Sequence, residues 1–302
     1  MVAAIVSGSC GHGEVPETYL FNGVKTLGYV TTDDGVEIYY KDWGPKDAPV
    51  IFFHHGWPLS ADDWDAQLMF FVGEGFRVVA SDRRGHGRSS QVWDGHDMDH
   101  YADDTAAVVK HLGVQGATHV GHSTGGGVVV RYITRHPEDK VAAGVLISAV
   151  PPLMVKTADN PDGIDKAVFD DFQKNTAENR SQFFHDVPAG PFYNYDQDGV
   201  ETSDPVVDNW WRQGMMGGAK AHTDGIVAFS QTDFREEMKG IQIPMLVLHG
   251  EHDQVVPFEI SGKKSAEILP NATLISYPGF PHGMPTTEAD TINKDLLAFL
   301  RR

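Results

Sequence analysis

The sequence predicts an α/β fold: a mainly parallel sheet with helices on both faces and an inserted helical lid. Three observations carry that expectation. Short apolar runs of strand length alternate with stretches of helical spacing, the rhythm of a parallel sheet covered on both faces. Gly121-His122-Ser123-Thr124-Gly125 fits G-x-S-x-G, a sharp strand-to-helix turn that presents a serine. Residues 152–225 break the rhythm and are dense in aromatic side chains.

The elements follow in order. Residues 1–27 have no basic leader, and their apolar run is too short for a secretion signal. They read as a mobile extension. Residues 36–43 have strand character and Gly44-Pro45 ends it, whereas 48–55 and 76–82 are apolar runs of buried-strand length. Between them, 62–72 carries helical spacing with Trp64, Leu68 and Phe71. A second helix is expected over 99–112, with Ala106, Val109 and Leu112 on one face and Gly113 as its stop. Residues 118–120 end a strand before the serine turn, and 128–134 form a helix that stops before Pro137. Residues 141–147, 244–249 and 273–277 are further strands. The expected division is a core of 28–151 and 226–302 with a helical cap of 152–225. Ten cap side chains stand out: Phe169, Phe172, Phe183, Phe184, Phe192, Tyr193, Trp210, Trp211, Met215 and Met216. About two-thirds of them are expected to pack the lid onto the core rather than line a pocket.

Composition narrows the function. At 302 residues the chain buries roughly 75% of its unfolded surface without staples. Its single cysteine, Cys10, allows no intrachain disulfide and points to a reducing, cytoplasmic setting. A net charge of −18 argues against nucleic acid or an anionic membrane as partner. No apolar run approaches the ~20 residues of a membrane span.

A serine hydroxyl needs a base to become a nucleophile. After a G-x-S-x-G turn the partners follow in the order Ser, acid, His. Glu251 and Asp253 both lie just past the strand ending at 249; Asp253, which enters the turn Gln254-Val255-Val256-Pro257, is the better placed and Glu251 the runner-up. The base should sit on a loop after the last strand, where His282 is the sole histidine beyond His252. Oxyanion stabilisation needs two aimed N–H donors. Thr124, at the helix start, supplies one, and the loop His54-His55-Gly56-Trp57 the other. That second donor is the Trp57 N–H, because Pro58 has none. His55 is expected to hold the loop. His96, Asp97, Asp99 and His100 cluster at the start of a helix and read as a solvated turn rather than a metal site; His12, His54 and His55 form no ligand set either.

With these residues in view, the sequence resembles the cofactor-free bacterial haloperoxidases of the α/β-hydrolase superfamily, also called perhydrolases or aryl esterases. The resemblance covers about residues 28–302. It rests on Tyr39-Tyr40-Lys41-Asp42-Trp43-Gly44, His55-Gly56-Trp57-Pro58-Leu59-Ser60, Asp82-Arg83-Arg84-Gly85-His86-Gly87-Arg88-Ser89, Gly121-His122-Ser123-Thr124-Gly125-Gly126 and Asp253-Gln254-Val255-Val256-Pro257. It implies the triad Ser123, Asp253 and His282 and an oxyanion hole from Trp57 and Thr124. Phe229, Val255 and Val256 would line a short acyl pocket, and the Pro58 carbonyl would assist peroxide. It implies no haem, vanadium, flavin or other cofactor. A carboxylic acid or ester would acylate the serine, and hydrogen peroxide, in place of water, would release a peracid that oxidises halide in solution. The chain departs from the family in its first 27 residues and at Gly225, where relatives often carry cysteine. The expected partners are a small ester or carboxylic acid and hydrogen peroxide, with a homo-oligomer left open. Two other readings share the fold: an amidase-type relative that opens small lactams on the same triad, and a non-catalytic small-molecule receptor. Haloalkane dehalogenases and epoxide hydrolases need a carboxylate nucleophile, which Ser123 excludes.

Overall fold

Eight strands build one sheet in this protein, whose computed structural model describes residues 28–302. The extension expected over 1–27, with His12 and Cys10, lies outside the described residues. The strands are β1 (Tyr29–Thr31), β2 (Glu37–Trp43), β3 (Val50–His54), β4 (Arg77–Ser81), β5 (Thr118–His122), β6 (Ala143–Ile147), β7 (Met245–Gly250) and β8 (Ala272–Tyr277). Their order across the sheet is β1-β2-β4-β3-β5-β6-β7-β8. β2 runs antiparallel to β1 and β4, and every pair from β4 to β8 is parallel.

The helices are α1 (Asp65–Gly73), α2 (Met98–Leu112), α3 (Thr124–Arg135), α4 (Lys166–Ala189), α5 (Asp204–Met216), α6 (Ala219–Gln231), α7 (Arg235–Gly240), α8 (Gly262–Ile268), α9 (Met284–Thr287) and α10 (Ala289–Leu300). The helix expected over 62–72 arrives in two pieces. A 3-10 turn, Ala61–Trp64, starts on Ser60, whose side chain accepts from the Asp62 N–H, and α1 follows. α2 starts on Asp97, whose carboxylate accepts from the His100 N–H. It stops at Gly113, whose φ of 62° lies in the left-handed region that closes helices at little cost for glycine.

Strand alternation divides the core. Ile51, Phe53, Val78, Ala80, Leu246 and Leu248 pack with Leu68 and Phe71 of α1 and Ile292 and Leu296 of α10. Their neighbours Phe52 and Val79 pack with Val108 and Val109 of α2. Both faces are therefore buried, which is why these strands read as continuous apolar runs. α4 to α6 lie between β6 and β7, in the segment expected as the cap. The boundary expected at 225 falls inside α6, and the helix continues to Gln231. Gly225 lets it pass close over the core, because a Cβ there would stand 3.2 Å from Trp57 Cδ1.

The parallel register fixes where chemistry can occur. β3 and β5 are neighbours, with His54 beside Gly121. The loop after β3 and the turn after β5 thus leave the sheet side by side. The loops after β7 and β8 leave at the same edge, under the cap.

Candidate active site

Ser123 joins β5 to α3 with φ 54° and ψ −122°. This strained conformation persists only where neighbours over-determine it. Its N–H donates to the Ile147 carbonyl at 3.0 Å, and its own carbonyl accepts from Gly126 N at 3.0 Å and Val150 N at 3.2 Å. The glycine spacing has a steric cause. A Cβ at Gly121 would lie 2.3 Å from the Gly125 carbonyl oxygen, and one at Gly125 2.1 Å from that of His54. Thr124 opens α3, where the first N–H groups have no partner within the helix and the dipole is positive.

His282 follows β8 and is fully buried. Its Nδ1 donates to Asp253 Oδ2 at 2.7 Å, which leaves Nε2 as the ring's lone-pair nitrogen, without a hydrogen-bond partner. Asp253 is itself fixed: Oδ1 accepts from the N–H groups of Val255 at 2.9 Å and Val256 at 2.8 Å. Burial would raise its carboxyl, but the His282 charge and the hydrogen bonds from His249 and His282 hold it far below the usual carboxylate range. Glu251 stands elsewhere, accepting from Ser276 Oγ at 2.7 Å on the exposed side of the sheet. The structure thus brings Asp253, not Glu251, to His282.

The loop after β3 is held through His55. The Arg83 N–H donates to His55 Nε2 at 2.9 Å, so Nδ1 carries the proton and donates to the Gly56 carbonyl at 2.7 Å. The Arg83 guanidinium also donates to the His55 carbonyl at 2.5 Å. Trp57 reaches the cap, where its Nε1 donates to the His222 carbonyl at 2.9 Å. Its ring packs against Phe184 and Phe229, with centroids 5.3 and 5.7 Å away.

A cavity of about 250 Å³ collects these groups. Ser123, His282, Trp57, Thr124, Phe229, Val255 and Val256 all line it, and Asp253 sits behind His282. Pro58 is not among its lining residues; it is buried near Gly214 of α5. Of the ten prominent cap side chains, Phe169, Phe172, Phe192 and Trp210 line the cavity. The Phe192 ring meets His282 edge-on at 4.8 Å, and its carbonyl accepts from Gly283 N at 2.8 Å. The walls are otherwise aliphatic or aromatic, with Gln254 the polar exception away from Ser123 and His282. A site of this kind suits an apolar acyl group presented to a serine.

Sequence reasoning gave no role to Gln254 and His122, although they adjoin Asp253 and Ser123, and it named Phe192 only among the cap aromatics divided between packing and pocket. It did not find His249, which only long-range contacts bring to Asp253. His54 pairs with His119 inside the sheet at 2.9 Å. His100 bonds the Asp97 carboxylate at 2.8 Å, while Asp99 pairs with Arg131. Among the described residues these side chains converge on no common point.

Residues 49–288 match the family described as alpha/beta hydrolase fold. Among curated proteins, the chain is 76% identical over 275 residues to a bifunctional esterase/perhydrolase of Acinetobacter calcoaceticus, covering 91% of this chain and 100% of that one. It is 61% identical to a non-heme chloroperoxidase of Burkholderia pyrrocinia, covering 90% and 99%. Among solved structures, the bromoperoxidase from Bacillus anthracis superposes with a TM-score of 0.85 at 37% identity, over 91% of this chain and 99% of that one.

Proposed function

This chain belongs to the alpha/beta hydrolase fold family, among its non-heme haloperoxidases and esterase/perhydrolases, and from that membership we propose how its site works. It is a serine ester hydrolase that also carries out perhydrolysis. One observation supports the assignment of roles most strongly. The His282–Asp253 pair leaves Nε2 of His282 without a hydrogen-bond partner, and His282 lines the same apolar cavity as Ser123.

Ser123 Oγ attacks the carbonyl carbon of a small ester while His282 Nε2 takes its proton. Asp253 holds the imidazole in the needed tautomer and stabilises the imidazolium that forms. The N–H groups of Trp57 and Thr124 receive the oxyanion. The leaving alcohol takes the proton back, and an acyl-serine remains. Water then attacks to give the acid. Hydrogen peroxide attacking instead gives a peracid, with its proton passing to His282 and on to Ser123 Oγ. Released peracid can transfer an oxygen atom to halide, giving hypohalous acid and the carboxylate. Pro58, under α5, acts through the backbone next to Trp57 rather than through its ring. The single cysteine supports a reducing, cytoplasmic location, and no helix of the described residues is long and apolar enough to cross a membrane.

The test uses two assays on one variant. Ser123→Ala should lower p-nitrophenyl acetate turnover by about 10⁴-fold or more. It should also abolish bromination of monochlorodimedone by acetate and hydrogen peroxide. Retention of more than a few per cent of ester hydrolysis would refute Ser123 as nucleophile. Bromination that survives replacement of acetate by a non-carboxylate buffer would refute the acyl-serine route to peracid.

A further inference from the structure

His122, the residue before the serine, has no part in the steps above, yet it touches three pieces of the site. It is 1% exposed. Its Nε2 lies 3.0 Å from the backbone carbonyl of His282. A carbonyl only accepts, so Nε2 carries the proton and Nδ1 the lone pair. The two imidazoles lie with centroids 4.8 Å apart. On its other side His122 meets the loop after β3, since a Cβ at Gly56 would stand 3.2 Å from Nδ1 and 3.2 Å from Ser123 Cβ. One ring thus joins the serine turn, the loop of the base and the oxyanion loop.

Nδ1 has no hydrogen-bond partner, and Asp63 Oδ2 stands 3.9 Å from it. Asp63 is buried at the end of the 3-10 turn, with its side chain 7% exposed. The nearby cations go to its neighbours: Lys41 and Arg88 to Asp62, and Lys41 to Asp65. The titratable groups facing Asp63 are His122 from β5, Tyr193 from the cap, and Asp62 and Asp65 from its own turn. Burial and the two neighbouring aspartates push its carboxyl up to about 7. Burial and the adjacent His282 push the His122 imidazole down to about 3. At 3.9 Å the two groups share no hydrogen bond, and the buried Asp63 carboxyl stands beside the unpartnered Nδ1 of His122.

We propose that His122 and Asp63 form a positioning pair for His282. The Nε2–H···O=C bond from His122 fixes the base loop against the serine turn, and Asp63 backs the opposite edge of the same ring. The inference rests on the serine-hydrolase reading above, and the experiment separates the two.

Steady-state kinetics with p-nitrophenyl acetate would be measured from pH 5 to 9 for the wild type, Ser123→Ala, His122→Leu, His122→Gln and Asp63→Asn. His122→Leu removes the donor and should lower kcat at least ten-fold while KM changes less than about three-fold. His122→Gln places an amide N–H near the same carbonyl and should recover most of that loss. A wild-type rate in His122→Leu, or no recovery in His122→Gln, would overturn the His122 role. The wild type should show two steps in log(kcat/KM), and Asp63→Asn should lose the one near pH 7. Superimposable profiles would overturn the role of Asp63, and this arm decides even if His122→Leu does not fold. An active Ser123→Ala would instead overturn the underlying reading.

Discussion

At the scale of single residues, the acid is the sharpest choice. Asp253 and Glu251 are two positions apart on one loop, yet they face different partners. Asp253 turns inward to His282 at 2.7 Å, whereas Glu251 turns outward to Ser276. Asp253→Asn is therefore expected to lower kcat by several orders of magnitude, because an amide favours the wrong imidazole tautomer. Glu251→Gln should stay within about three-fold of wild type. Rates of p-nitrophenyl acetate hydrolysis check both, and the reverse ranking would exclude the assignment.

At the scale of elements, the cap decides what the core can accept. α4 and α6 bring Phe169, Phe172 and Phe229 against the Val255-Val256 turn, whose backbone at the same time holds Asp253. The segment after α4 also grips the loops that carry His282 and Asp253. Phe192 O accepts from Gly283 N, and Asn194 Nδ2 donates to the His252 carbonyl at 3.0 Å. Phe229, Val255 and Val256 line the cavity with Ser123, and with the acyl group proposed to lie against them, acetyl to butyryl esters should be preferred. Each methylene that fits should gain up to ~0.8 kcal/mol, and one that does not should lose more to strain. Phe229→Ala should move the optimum to longer chains. A kcat/KM series from C2 to C12 tests this, and a wild-type optimum at C10 or beyond would refute it.

At the scale of the whole molecule, Asp63 links the site to global stability. Its acid form is favoured on folding, since its carboxyl rises from an ordinary value of 3.8 to about 7. The sign follows from linkage. A group whose folded value is raised loses its contribution as pH climbs from the unfolded towards the folded value. Asp63 is therefore neutral in effect near pH 4 and costs the fold most above pH 7, by roughly a few kcal/mol at the upper limit. Asp63→Asn keeps the shape and removes the charge. Its thermal midpoint should match wild type near pH 4 and exceed it by several degrees at pH 8. A difference that does not grow with pH would show that the Asp63 carboxyl is not raised on folding.

The sequence alone determined the parallel α/β architecture, the stop of α2 at Gly113, the serine turn and the chain order of its partners. These rest on local physics. A doubly buried strand must be apolar throughout, a left-handed helix stop favours glycine, and a turn whose Cβ positions fall 2.1–2.3 Å from backbone atoms must be built from glycine. Short β1 and the amphipathic α10 are not among the expected elements, because three residues give no periodicity and α10 lies beyond the last motif. Only the tertiary structure decided that α6 runs through Gly225 to Gln231, that Phe192 shields His282, that His249 stands beside Asp253, and that His122 bonds the His282 carbonyl. It alone separated Pro58 from the cavity wall and brought Asp63 to His122 across 59 positions of chain. Such contacts join segments with no common pattern. Packing between elements creates them, and no single stretch of sequence contains both halves of the interaction.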